Sequence, residues 1–281
     1  MRLGLHLSIG KGFKNTLKET LALNCNAVQT FVKNPRGWQG GAFDEEGASY
    51  VKANKDKLGI RPWVVHGSYL VNPCSPDSSI YEKSLASLLL EMERAISLGA
   101  DYFVMHTGNR KGNTPEEAVL LLQKTIDQLL ARFSGRVKIL LENSSGKGSE
   151  IGSSFLELAL ITAPFPVNLL GICLDTCHAF SAGYDLRDKD AWAKTKNLLF
   201  AELDTKRLTL LHVNDSVGEL NSHVDRHAHL GEGEIGKDGF FAIFQDDQMA
   251  SIPCILETPG DPKVEGIKNI KFLRKMAQKN G

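Results

Sequence analysis

Long hydrophobic runs are missing from this sequence: no stretch approaches the roughly 18 consecutive apolar residues of a membrane-spanning helix. The first residues, Met-Arg-Leu-Gly-Leu-His, carry no apolar leader, so no signal peptide is expected. Cysteine is scarce. Cys25, Cys74, Cys173, Cys177 and Cys254 are an odd set of five with no C-x-x-C pair, which argues against a disulfide framework and for reduced thiols in a cytoplasmic protein. Neither sign of charge is in excess, because Lys plus Arg and Asp plus Glu both number 33. That balance excludes a protein that finds nucleic acid through a broad basic surface, although positive charge could still arrive as bound metal. Linkers and low-complexity tracts are also absent, so residues 1–281 are expected to form a single domain.

What the chain does have is alternation. Apolar, strand-like runs fall near 2–7, 27–32, 61–66, 102–106, 137–142, 169–175, 207–213 and 253–257. Their near-continuous apolar character suits strands buried on both faces. Between them lie helical patterns. Leu85, Leu88, Leu89, Met92 and Ile96 follow one i, i+3, i+4 stripe, and Leu121, Leu122, Thr125, Ile126 and Leu129 another. Thr114, Pro115 and Glu117 spell a helix start, with a capping box and proline at the first helical position. Eight strands alternating with helices predict an α/β fold, a (β/α)8 barrel, with an open doubly wound sheet as the alternative. The polar segment 214–237 is too long for an ordinary connection and is expected to be functional.

In such a barrel, chemistry sits where the strands end. Here six successive apolar runs end in or carry His66, His106, Glu142, Asp175, His212 and Glu257. A lone acid or imidazole at a strand end caps a helix or sits as a satisfied core group. Six in succession, drawn to one mouth, would be costly to bury without a counter-charge. Imidazoles and carboxylates are ligands for zinc or manganese, and six are too many for one tetrahedral ion. A cluster of at least two metals points to phosphoester or peptide hydrolysis. Asp225 and His227 alternate along an extended loop and face one way, and with His178 they would hold a further ion. His6 ends the first strand and either points into the mouth or packs in the core. His223 is expected to face solvent, and His229 to order its loop. Cys177 lies between ligand positions but has no assigned base, so a nucleophilic or sulfur-ligand role is set aside.

Several motifs resemble the endonuclease IV family of zinc-dependent apurinic/apyrimidinic endonucleases. They are Gln-Thr-Phe-Val-Lys-Asn-Pro-Arg-Gly-Trp at 29–38, His-Gly-Ser-Tyr-Leu at 66–70 and Leu-Glu-Asn-Ser-Ser-Gly at 141–146. To these are added Leu-Asp-Thr-Cys-His-Ala-Phe-Ser-Ala-Gly-Tyr-Asp at 174–185, His-Val-Asn-Asp-Ser at 212–216 and Val-Asp-Arg-His-Ala-His-Leu-Gly-Glu-Gly-Glu-Ile-Gly at 224–236. The resemblance implies a xylose-isomerase-like TIM barrel with three Zn²⁺ per chain. It assigns one ion to His66, His106 and Glu142, a second to Glu142, Asp175, His212 and Glu257, and a third to His178, Asp225 and His227. It makes Glu142 the bridging catalytic carboxylate and a zinc-bound hydroxide the nucleophile. It implies incision 5′ to an abasic site, leaving a 3′-hydroxyl and a 5′-deoxyribose phosphate, and removal of 3′-blocking groups. The partner is then double-stranded DNA with abasic sites or blocked 3′ ends, handled by a monomer with no membrane and no nucleotide cofactor. Three dications would carry the chain from neutral to about +6, focused at the mouth.

The resemblance also assigns Arg36, Tyr69 and Leu70 to loops that enter the DNA at the lesion. Gly37 replaces a longer polar residue of some members, which shifts lesion detection toward Tyr69. Lys33, Arg187, Arg226 and Lys237 are candidates for phosphate contact. Gly231, Gly233 and Gly236 make a formal G-x-G-x-x-G, but it follows no strand directly and so is not read as a dinucleotide fingerprint. Those glycines are expected to shape the loop of the third metal group. Two rival readings are a divalent-metal sugar isomerase or epimerase, and a non-catalytic zinc-loaded DNA-binding protein.

Overall fold

The structure, a computed structural model, describes residues 1–278. In chain order its elements are β1 (Leu3–His6), α1 (Phe13–Ala22), β2 (Ala27–Thr30), α2 (Glu45–Asn54), β3 (Trp63–His66), α3 (Ser78–Leu98) and β4 (Tyr102–His106). Next come α4 (Pro115–Phe133), β5 (Lys138–Glu142), α5 (Phe155–Thr162), β6 (Leu170–Asp175), α6 (Thr176–Ser181) and α7 (Lys189–Glu202). The chain continues with β7 (Leu208–His212), β8 (Asp215–Ser216), β9 (His227–Ala228), α8 (Gly236–Gln245), α9 (Asp247–Ser251), β10 (Cys254–Leu256) and α10 (Ile267–Met276). Eight of the strands close into a parallel barrel in the order β1-β10-β7-β6-β5-β4-β3-β2, while β8 and β9 form a separate antiparallel ribbon. Each barrel strand lies within two residues of its predicted span. The open-sheet alternative is thereby excluded. Among the described residues no helix is long and apolar enough to cross a membrane.

The pleat of the barrel strands decides where the site lies. Ala27, Val64, Val104, Leu140, Cys173, Leu210 and Ile255 fill the barrel interior as one buried cluster. On the opposite faces, residues such as Val28, Val65, Phe103, Leu141, Ile172 and Leu211 join the larger core beneath the helices. Side chains alternate along a strand with period two. Two residues beyond each interior position therefore comes another inward side chain, one layer higher: Gln29, His66, His106, Glu142, Asp175, His212 and Glu257. His6, two beyond Gly4, completes the layer. An apolar plug thus carries a polar layer with one residue from each strand.

The helices obey the local signals where those signals concern the chain itself. Thr114 and Glu117 make both bonds of the capping box at the start of α4, with Pro115 in the first turn. The stripe on α4 buries Leu122, Thr125, Ile126 and Leu129 as patterned. On α3, Leu88, Met92 and Ile96 are buried, but so are Ser84, Ser87, Glu91 and Arg94. The burial of those polar residues is not evident from the helical pattern, and it bears on the loops above the mouth.

Candidate metal centre

His6, His66, His106, Glu142 and Glu257 of the polar layer, with His178, Asp225 and His227, line a cavity of about 320 Å³ at the C-terminal mouth of the barrel. Glu142 is buried at its centre. Its Oε2 lies 3.1 Å from His66 Nε2 and 3.2 Å from His106 Nε2, and its Oε1 lies 3.0 Å from His212 Nδ1. His212 Nδ1 is also 3.4 Å from Glu257 Oε2. Asp175 caps α6 by accepting the His178 backbone N–H at 2.8 Å, which turns the chain so that His178 faces back into the mouth. The ribbon supplies the rest: Ser216 pairs with His227, and the intervening loop presents Asp225. His178 Nε2 sits 3.1 Å from Asp225 Oδ1, and His227 Nε2 sits 3.6 Å from the same oxygen.

Donor atoms close enough to share an ion form the sets His66–His106–Glu142, Glu142–Asp175–His212–Glu257 and His178–Asp225–His227. The nine residues named from the sequence are therefore brought together in the expected groups, with Glu142 common to two of them. A further set joins Asp175, Cys177 and His227, and another joins His66, His212 and Glu257. Burial pushes the Cys177 thiol up to about 12, so in the metal-free site it stays a protonated thiol near neutral pH and is a poor nucleophile.

Three observations favour a cation here. First, none of Glu142, Asp175, Asp225 and Glu257 makes an ion pair with lysine or arginine among the described residues; their ionic partners are imidazoles. Second, His227 Nε2 is buried and has no hydrogen-bond partner although two carboxylates face it. Third, four imidazoles have one ring nitrogen tied to an oxygen that can only accept. His66 Nδ1 meets Gly67 O at 2.7 Å, His178 Nδ1 meets Asn143 O at 2.9 Å, and His227 Nδ1 meets Glu257 O at 3.2 Å. His212 Nε2 meets Gln29 Oε1 at 2.8 Å. Each tie fixes which nitrogen keeps a proton and leaves the other aimed at the carboxylates, as metal-ligating histidines require.

The metal-free electrostatics are those of a paired cluster. Burial alone would raise the Glu142 carboxyl, but His212 and His106 outweigh it and hold it well below the usual range. Glu257 and Asp225 are depressed in the same way, by His212 and His6 for the first and His178 for the second. Burial disfavours charge on His178 and His212, yet the surrounding acidic groups raise both well above the ordinary imidazole value. These offsets arise because desolvation and opposite charge act in opposing directions on each group.

Several residues that the sequence pattern does not single out hold the mouth together. Gln29 donates to Glu257 Oε1 at 2.6 Å while accepting from His212. Asn143 accepts the Asp175 N–H at 2.6 Å, and Asn214 donates to Asp175 Oδ2 at 2.7 Å and accepts the Glu257 N–H at 2.9 Å. For Asn143 and Asn214, closeness in the chain to Glu142 and His212 was the available signal; Gln29 has no such neighbour. His6 does point into the mouth, with Nδ1 3.1 Å from Glu257 Oε1. His229 bonds Asn269 beneath its loop, in keeping with an ordering role. His223 faces solvent, and its Nδ1 reaches Ser145 O at 2.8 Å.

The candidate DNA-reading residues Arg36, Tyr69 and Leu70 are exposed beside this mouth. Tyr69 N–H donates to Pro35 O at 3.1 Å, so the loops after β2 and β3 are joined directly, and the Tyr69 ring packs edge-on against Phe31. Beneath them lies the polar face of α3. Glu91 accepts from Ser68 N–H and Oγ, each at 2.8 Å, and from Ser87 Oγ at 2.6 Å. Lys33 corrects one expectation: it is not a phosphate contact but a buried cation 3.5 Å from Glu91, donating also to Gly37 O. Arg94 donates to the carbonyls of Val32, Gly40 and Gly41. Arg187 is engaged in a two-pronged bond to Asp185, while Arg226 and Lys237 remain exposed.

Comparison with known proteins agrees with this fold. The family of xylose isomerase-like TIM barrels matches residues 17–276. "Probable endonuclease 4" of Halothermothrix orenii is 40% identical over 260 residues, covering 92% of this chain and 94% of that protein. The crystal structure of endonuclease IV from Thermus thermophilus superposes with a TM-score of 0.86 at 37% identity, covering 98% of each chain. A D-tagatose 3-epimerase-like protein shares the fold at 19% identity and a TM-score of 0.74.

Proposed function

The chain belongs to the endonuclease IV family of xylose isomerase-like TIM barrels, and from that premise we propose that it is a zinc-dependent DNA repair hydrolase cutting 5′ to abasic sites. The cut leaves a 3′-hydroxyl and a 5′-deoxyribose phosphate, and the same mouth trims blocked 3′ ends. The observation that carries this reading is the three-part donor set around Glu142, rich in carboxylates yet without a lysine or arginine partner among the described residues.

His66, His106 and Glu142 would hold one ion, Glu142, Asp175, His212 and Glu257 a second, and His178, Asp225 and His227 a third. Imidazole and carboxylate donors suit zinc. Bound there, zinc ions acidify water and offset charge on phosphoryl oxygens and on the leaving 3′ oxygen. The protein's own part is orientation. Gln29, Asn143 and Asn214 keep the donor side chains aimed. Tyr69 and Leu70 fill the gap of the missing base, and Arg36 enters from the neighbouring loop. With no net positive charge on the chain, affinity for DNA depends on these loops and on the loaded mouth. We take residues 1–281 as one catalytic domain acting as a cytoplasmic monomer without a nucleotide cofactor.

The test is incision of a labelled duplex carrying one tetrahydrofuran abasic analogue, without added magnesium, beside the undamaged duplex. The analogue cannot undergo β-elimination, so only hydrolysis is read. A single cut 5′ to the lesion, lost in Glu142→Gln and Asp225→Ala, is expected. Absence of incision by zinc-replete protein would overturn the reading and favour a metal-dependent sugar isomerase or epimerase.

A further inference from the structure

The glycine-rich turn 231–236 surrounds a carboxylate of the same chain. Asp215, the first residue of β8, is fully buried. Its Oδ2 accepts the backbone N–H groups of Gly231 at 2.9 Å, Gly233 at 3.0 Å and Gly236 at 3.3 Å. Its Oδ1 accepts those of Ile235 at 2.9 Å and Ser216 at 2.8 Å. Successive N–H groups converging in this way form an anion-binding nest. Here the anion is internal, which explains why a G-x-G-x-x-G pattern appears without a dinucleotide site.

We propose that Asp215 is a positioning residue for the third donor group, acting through the ribbon that carries His227. Asp215 and Ser216 pair with Ala228 and His227, and Val217 N–H donates to Arg226 O at 3.0 Å. From the other side, Glu234 N–H donates to Ser216 O at 2.8 Å. The caged turn and β9 therefore grip β8 from both sides, and the position of His227 follows from where β8 is held. Gly233 has no room for a side chain, since a Cβ there would meet Ser216 O at 2.4 Å and Asp215 Oδ1 at 2.6 Å. A carboxylate suits five donors because both oxygens only accept. An amide in its place would turn an NH2 toward N–H groups on one side.

This inference rests on the proposed metal reading, and the experiment separates the two. Wild type, Asp215→Asn, Gly233→Ala and His227→Ala are loaded with zinc, desalted and assayed for ions per chain and for release rates to a chelator. Circular dichroism checks the barrel. We expect three ions in wild type. In Asp215→Asn and Gly233→Ala, one ion should be held roughly 10–100-fold more weakly, as is typical when a group supporting a ligand is lost, with the other two unchanged. Both should match the His227→Ala release profile. Three tightly held ions in both variants, or equal loss of all three, would overturn the role of Asp215. Fewer than three ions in wild type would instead refute the metal reading beneath it. If Asp215→Asn does not fold, Gly233→Ala carries the test.

Discussion

Replacing Lys33 with methionine tests whether the buried pair under the two exposed loops does what its geometry suggests. Lys33 Nζ and Glu91 Oε1 are 3.5 Å apart, and both side chains are 1% exposed. At an effective dielectric of about 20, Coulomb attraction at that distance is about 5 kcal/mol. Methionine keeps most of the volume, so the principal change is an uncompensated carboxylate. Breaking such pairs on one side costs about 3–5 kcal/mol. Glu91 keeps its three bonds from Ser68 and Ser87, which places Lys33→Met near the lower end, about 3 kcal/mol. Glu91→Gln strands the lysine instead and should cost a similar amount. The double variant removes both charges while the introduced amide can still accept from Ser68, so it should cost less than the two singles summed, with a coupling of about 2 kcal/mol. Urea unfolding followed by tryptophan fluorescence measures this cycle. A functional arm follows from the same contact. If Arg36 and Tyr69 engage DNA as proposed, the freed loops would have to be ordered on binding, at about 0.5–1.5 kcal/mol per side chain. Binding to the abasic duplex should then weaken roughly tenfold while the rate at saturating duplex changes little. Additive effects below about 1 kcal/mol each would show that the pair does not hold the loops.

Gln29→Leu removes a side chain that hydrogen-bonds both His212 and Glu257, and should weaken the Glu142–Asp175–His212–Glu257 set for metal by about 10–100-fold; unchanged affinity in competition with a chelator would refute this. Metal uptake should also release protons. His178 and His212 have folded values raised well above 6.5, so in the metal-free chain their charged forms add stability that is fully present below 6.5 and is lost as pH rises through the raised values. Glu142, Asp225 and Glu257 are depressed, so their contribution is present above the usual carboxylate range and is lost as pH falls through the lowered values. A metal displaces the imidazole protons, so apparent affinity should rise with pH. Calorimetry at pH 7 in buffers of different ionisation enthalpy checks this, and a buffer-independent heat would contradict it.

The barrel and most of its mouth were legible in the residues because both depend on local pattern. A strand buried on both faces must be apolar throughout, so the point where each run meets Glu142, Asp175 or His212 is visible without a structure. The capping box at Thr114 and the alternation of Asp225 and His227 are equally local. Asp225 and His227 group with His178 through that alternation, but dividing the six strand-end donors into two sets that share Glu142 is not local and rests on family likeness in the motifs.

Tertiary structure alone decided which polar residues act together across the chain. Gln29 reads as an ordinary polar residue late in an apolar run; only closure of the barrel places it between His212 and Glu257. Lys33 looks like a loop cation suited to phosphate until α3 brings Glu91 beneath it. The three glycines resemble a nucleotide loop until Asp215 is seen filling the nest. The physical reason is the same in each case. A sequence displays the period of a strand or helix, but the energy of a buried charge or hydrogen bond depends on what stands within about 3 Å, and that neighbour is set by how distant segments pack.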